Sequence, residues 1–141
     1  MPAVMLIDAN VILRFLLADD DRQSAEAEKL LLEAPEGSLS LSPLTLAEVT
    51  WVLLSHHEVP RELVASALQR VVALPSIRAR DTLLDAVARF AASSVDFADC
   101  ALAAEAAAQG AVAVRFDKDL KRFSDIRAMR PKEALERLLK R

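Results

Sequence analysis

The apolar run at residues 3–7, Ala-Val-Met-Leu-Ile, stops abruptly on Asp8. A run this short cannot make a buried helix, and it has the form of a central strand in a parallel sheet covered on both faces. Parallel strands need long crossovers, usually helical, and the chain supplies them. Helical periodicity covers 10–17, and Asp19-Asp20-Asp21 precedes a second helical stretch that ends before Pro35 and Gly37. Residues 38–41, Ser-Leu-Ser-Leu, alternate like a strand. Ser42-Pro43 then provides an N-cap and a first-turn proline for a helix running to about residue 55.

Pro60 opens a helix that continues through residue 73, Pro75 breaks it, and 77–79 forms a brief strand. Helices follow at 81–92 and from about residue 96 to Gly110, the residue type favoured just past a helix C-terminus. Residues 111–115, Ala-Val-Ala-Val-Arg, read as a strand, 117–123 as a helical turn and 126–128 as an edge strand. Pro131 starts a last amphipathic helix carrying Leu135, Leu138 and Leu139. Strands alternating with single or paired helices predict an α/β fold, a three-layer α/β/α sandwich with a mostly parallel central sheet. No repeat or linker divides the 141 residues, so a single domain spanning 1–141 is expected.

Composition narrows the function. The 53% hydrophobic content is globular, and the only cysteine, Cys100, sits in a helical stretch as a small apolar residue. The N-terminus has no basic segment before an apolar run and no small-residue cleavage site. Charges also break every apolar stretch short of a membrane span, so a cytoplasmic protein without membrane contact is expected. A net charge of −3 excludes a broadly basic nucleic-acid binder and confines any RNA contact to a local surface. Two glycines leave no phosphate-cradling glycine loop.

Sites in parallel α/β folds form outside the carboxyl ends of the strands, where Asp8 and Asp117 fall. Glu48 sits in the almost wholly apolar stretch 44–54, where an ionised carboxylate in a buried helix demands compensation. Asp99 lies in the first turn of its helix, where the dipole favours negative charge. Each acid also has a structural reading. Asp8 starts a turn, Asp117 caps the short helix after it, and Asp96 with Asp99 forms a capping pair; for Asp96, capping is the preferred role. Four acids at one edge, with no arginine beside any but Asp117, would repel unless they share a divalent cation. Oxygen-only ligands suit Mg²⁺ or Mn²⁺, and such a site hydrolyses phosphodiesters of RNA or DNA.

Four stretches, in order, carry a family resemblance: Ile-Asp-Ala-Asn-Val-Ile at the N-terminus, Leu-Ala-Glu-Val-Thr-Trp-Val-Leu at 46–53, Asp-Phe-Ala-Asp-Cys-Ala-Leu-Ala-Ala at 96–104 and Phe-Asp-Lys-Asp-Leu at 116–120. Together they resemble PIN-domain proteins and, more narrowly, VapC toxins. The resemblance implies a Mg²⁺- or Mn²⁺-dependent endoribonuclease, a homodimer restrained by a VapB-like antitoxin. It also implies acidic positions at Asp8, Glu48, Asp99 and Asp117, with Asn10 as the polar support of the first and Asp119 as a weaker substitute for the last. One departure is visible: Arg115 stands two residues before the last acid, where many relatives have threonine or serine. It can pair with Asp117, bind a substrate phosphate or point away, so Asp117 is the conditional ligand.

Arg14, Arg115 and Lys118 are the candidate phosphate contacts, with Lys121 and Arg122 beside them; a solvated basic face is the alternative. His56 and His57 project about 100° apart on a helix and suit its C-terminus better than a shared metal. Trp51 is read as a core or interface residue, with base stacking the lesser alternative. Two further functions fit the same fold: an RNA-processing nuclease without an antitoxin, and a catalytically inactive module that binds RNA or a partner.

Overall fold

A computed structural model describes residues 4–140. The strands are β1 (Met5–Leu6), β2 (Leu39–Ser40), β3 (Ile77–Arg78), β4 (Val112–Val114) and β5 (Arg127–Met129). The helices are α1 (Ala9–Leu17), α2 (Asp21–Glu33), α3 (Pro43–Trp51), α4 (Arg61–Val72), α5 (Asp81–Ala91), α6 (Phe97–Gln109) and α7 (Pro131–Leu139). A π-helical turn at Val52–His56 prolongs α3, and a 3₁₀ turn at Asp119–Arg122 follows β4. All strand pairs are parallel, as the helical crossovers require.

The strands form two sheets among the described residues rather than one, ordered β1-β2-β3 and β4-β5. This corrects the expectation of a central first strand. β1 is an edge, and Met5 and Leu6 are exposed, Leu6 by 77%. With two residues in its ladder, β1 has few backbone groups to recruit a second neighbour. Ala3, the first residue of the expected strand, lies outside the described residues. The second sheet is held by α6, which packs on β4 and on α3.

The main core gathers Ile12, Leu31, Leu39, Leu46, Val64, Leu68, Phe90 and Cys100, so every helix from α1 to α6 contributes to burial. A smaller cluster of Ala103, Ala113 and Leu120 fixes α6 to β4 and the 3₁₀ turn. The expected local signals are present. Ser42 accepts from the Leu44 N–H at 3.1 Å ahead of Pro43, and Gly110 ends α6 at φ +61°, a left-handed conformation that suits glycine. α7 is amphipathic, but none of its residues is buried; Leu135, Leu138 and Leu139 are exposed, Leu138 beside a cavity it lines with Val112, Val114 and Met129.

One cation organises the α5–α6 connection. Arg61, at the first position of α4, donates to the carbonyls of Phe90 (2.9 Å), Ser93 (3.0 Å) and Val95 (2.6 Å). Its guanidinium lies 3.8 Å from the Phe90 ring centroid. A cation at a helix N-terminus opposes the dipole of its own helix, but here it meets carbonyls in the last turn of α5 and in the connection after it. Arg61→Met removes a charged donor from three partly buried acceptors. It is expected to lower the unfolding free energy by about 3 kcal/mol in urea titrations, with Arg61→Lys recovering only a minor part. A shift in midpoint below that expected for one neutral hydrogen bond would contradict this role.

Candidate active site

Asp8 occupies the N-cap position of α1 with extended backbone (φ −77°, ψ 156°). Its carbonyl accepts the Val11 N–H at 3.1 Å, yet its carboxylate makes no capping bond and is exposed. Asn10 stands in the next turn, lining a cavity of about 310 Å³ between α1 and α2 together with Arg14, Gln23 and Glu26. Arg14 is engaged by Asp19 at 3.0 Å, and that hydrogen bond holds the Asp19 carboxyl below the usual carboxylate range.

Glu48 differs from expectation: it is exposed. α3 buries Leu46, Val49 and Thr50. Leu44, Glu48 and Trp51, spaced as neighbours along one helical stripe, lie on the other side. Leu44 is 79% and Trp51 58% exposed, so an apolar sequence does not make this helix buried all round. Trp51 is therefore not a core residue. It meets His56 edge to face, with ring centroids 4.9 Å apart, and both histidines sit at the C-terminal end of the π-helical turn.

Asp99 lies in the first turn of α6 as expected. Asp96 is at the N-cap position, but its side chain accepts no capping bond, which corrects the role preferred from the sequence. The larger correction concerns Arg115, which pairs not with Asp117 alone but with both acids. Its Nη1 donates to Asp99 Oδ1 at 2.8 Å, and its Nη2 to Asp99 Oδ2 at 3.3 Å and Asp117 Oδ2 at 2.6 Å. The remaining oxygen, Asp117 Oδ1, accepts the Asp119 N–H at 3.1 Å. The structural reading of Asp117 is thus met in part, as it orders the start of the 3₁₀ turn. Arg115 holds the Asp117 carboxyl below its ordinary range, and Asp99 followed by Asp117 pushes the guanidinium further toward its charged form.

Asp99 and Asp117 are therefore brought together by an arginine. Oxygen-only donors have the right chemistry for Mg²⁺ or Mn²⁺. Among the described residues, however, no three His, Cys, Asp or Glu side chains lie close enough to hold one metal ion. In this arrangement Asp8, Glu48, Asp99 and Asp117 do not form a metal cage. The link from Arg115 to Asp99 joins residues sixteen apart, a separation over which sequence spacing carries no signal.

Lys118, Lys121 and Arg122 are exposed and line a cavity of about 460 Å³ with Ser94, Asp96 and Asp119. Lys118 and Lys121 also border a smaller recess of about 70 Å³ with Arg115, Phe116 and Asp117. Asp125 anchors this segment. It receives Arg89 Nη1 at 2.9 Å and pairs with Nη2 as well, while Arg89 reaches back to Asp85 at 3.1 Å on its own helix. The Arg89 guanidinium also lies 5.0 Å from the Phe123 ring centroid. α5 is thereby fastened to the loop just beyond the 3₁₀ turn.

The chain matches the family model of the PIN domain over residues 5–126 and belongs to the PIN domain family. Its mixed α/β architecture with parallel strands is that of the family, whose members are generally nucleases and typically depend on divalent metals. β5 and α7 lie beyond the matched stretch. No curated protein matches the chain.

The Arg89 tether gives a pH-dependent prediction. Arg89 depresses the Asp125 pKa in the folded protein, so the stabilisation is present above the unfolded value of about 3.9 and is lost as pH falls through the lower folded value. Asp125 is 56% exposed, which screens the pair to on the order of 1 kcal/mol. Asp125→Asn is expected to melt a few degrees lower than the unaltered protein at pH 7, with the gap closing as the pH falls through the depressed folded value. A gap that persisted unchanged into acid would show that the pair is not its source.

Proposed function

We propose that the chain is a single PIN domain acting as a Mg²⁺- or Mn²⁺-dependent endoribonuclease, the toxin of a type II toxin–antitoxin pair, working in the cytoplasm. The observation that carries this reading is the order of its acids within the PIN match at residues 5–126. Asp8 follows β1 with an exposed carboxylate that makes no capping bond, Glu48 is exposed on α3, and Asp99 and Asp117 meet from α6 and just beyond β4. Phosphodiester hydrolysis requires an activated water and stabilisation of charge gathering on the phosphate. The carboxylates suit the first need, with Asn10 supporting Asp8. Arg115 and Lys118 suit the second, while Arg14 reaches a phosphate only on leaving Asp19.

Family kinship supports an RNA substrate, and exposed apolar residues support protein partners. Leu135, Leu138 and Leu139 on α7, and Leu44 with Trp51 on α3, offer surface for a VapB-like antitoxin and for a second copy of the chain. No described helix is long and apolar enough to cross a membrane. One observation favours a second reading, a PIN-like module that binds RNA or a partner without cleaving: Arg115 forms ion pairs with two of the four acids. An RNA-processing nuclease without an antitoxin remains the third. An antitoxin-like reading frame beside this one separates it from the first.

The discriminating assay follows fragments of a structured RNA on denaturing gels with Mn²⁺ present. Asp8→Asn and Asp99→Asn are each expected to reduce cleavage at least about a hundredfold, the scale of losing a group from an acid–base site, and excess EDTA is expected to abolish it. Cleavage that survives either Asp8→Asn or EDTA rejects the metal-dependent nuclease. An intact, folded protein that binds RNA but never cuts it establishes the module.

A further inference from the structure

We propose that Arg115 is a tethered counter-cation for Asp99 and Asp117, and that a divalent ion engages these two acids only by displacing it. The inference rests on the metal-dependent reading above. Every oxygen of the two carboxylates already accepts a hydrogen bond, three from Arg115 and one from the Asp119 N–H. Lone pairs remain on these oxygens, but an incoming cation meets the guanidinium charge beside three of the four, and the two like charges repel strongly in so small a space. The pairing on Asp99 uses both nitrogens of the guanidinium fork, a geometry that arginine holds and lysine cannot reproduce.

The guanidinium is not fully satisfied where it lies. Arg115 Nε is buried and has no hydrogen-bond partner, an unfavourable state for a charged donor. A rotation toward solvent removes that penalty. The route is open, because Asp117 is exposed and Arg115 already borders the recess shared with Lys118 and Lys121. A phosphate diester offers two oxygens to the fork at that position. Arg115 is thus a positioning residue with two stations, one on the acids and one on a substrate phosphate, and its departure is coupled to occupation of the carboxylates by a metal.

Mn²⁺ binding to the full chain, counted by electron paramagnetic resonance of the free ion, tests this. Arg115→Gln is expected to bind Mn²⁺ roughly tenfold to a hundredfold more tightly than the unaltered protein, the range spanned by hydrogen bonds to charged groups. Adding Asp99→Asn should remove the gain. Arg115→Lys, which keeps the charge but loses the fork, should show a smaller gain and serves if circular dichroism finds the glutamine variant unfolded. Equal affinity in the unaltered and folded variant proteins, or a gain that survives Asp99→Asn, overturns the inference while leaving a metal-dependent nuclease standing. If no form binds Mn²⁺ at millimolar concentration, the inference and the metal-dependent reading fall together.

Discussion

Three carbonyls at the turn between α5 and α6 converge on the guanidinium of Arg61, and much of the molecule's order follows from that contact. Helices end with carbonyls that need partners, and a tight connection of a few residues cannot supply all of them from its own backbone. Arg61 supplies donors from another helix. It thereby fixes how α6 leaves α5, and these two helices share the most extensive packing in the molecule. The start of α6 places Asp99, and its far end, closed by Gly110, delivers β4. A structural arginine some distance from the acids in sequence thus decides where one of them stands.

A second arginine does comparable work by charge. The path from β4 into the 3₁₀ turn carries Arg115, Asp117, Lys118, Asp119, Lys121 and Arg122, four cations interspersed with two acids within eight residues. Asp117 is bound at one oxygen by Arg115 and at the other by the turn it opens, so electrostatics and backbone order are one structure here. Arg89 closes the far side of the segment through Asp125. Leu120 is buried between these anchors against Ala103 and Ala113, which keeps the segment on α6 despite its mostly exposed side chains.

Local signals were legible in the sequence because they act over a few residues. Ser42-Pro43, Gly110 and the apolar strand runs placed α3, the end of α6 and the parallel α/β class. Burial was not legible to the same degree. The apolar stretch around Glu48 looked like a buried helix, but exposure depends on which stripe faces the core, and Leu44, Glu48 and Trp51 fall on the outer one. α7 shows the same effect, since its periodicity states which residues share a face and not whether anything covers it. At the candidate site, the positions of Asp8 and Asp99 relative to their elements followed from strand and helix ends. The bridge from Arg115 to Asp99 is a tertiary contact that spacing does not encode.

The charge distribution sharpens what kind of contact the chain could make with the RNA substrate proposed above. With a net charge of −3, it has no long-range field to gather polyanions, so affinity must come from short-range pairing at a local surface. The surface that qualifies is the cavity of about 460 Å³ bordered by Lys118, Lys121 and Arg122, which is continuous in sequence with Arg115 and Asp117. Its cations stand beside acids rather than apart from them, which limits indiscriminate binding of phosphate backbones. On the reading proposed above, an RNA held there would bring a phosphate toward Arg115, whose guanidinium Asp99 and Asp117 share. On that reading, substrate and carboxylates are rivals for one cation, and a phosphate bound at that side chain would free the acids.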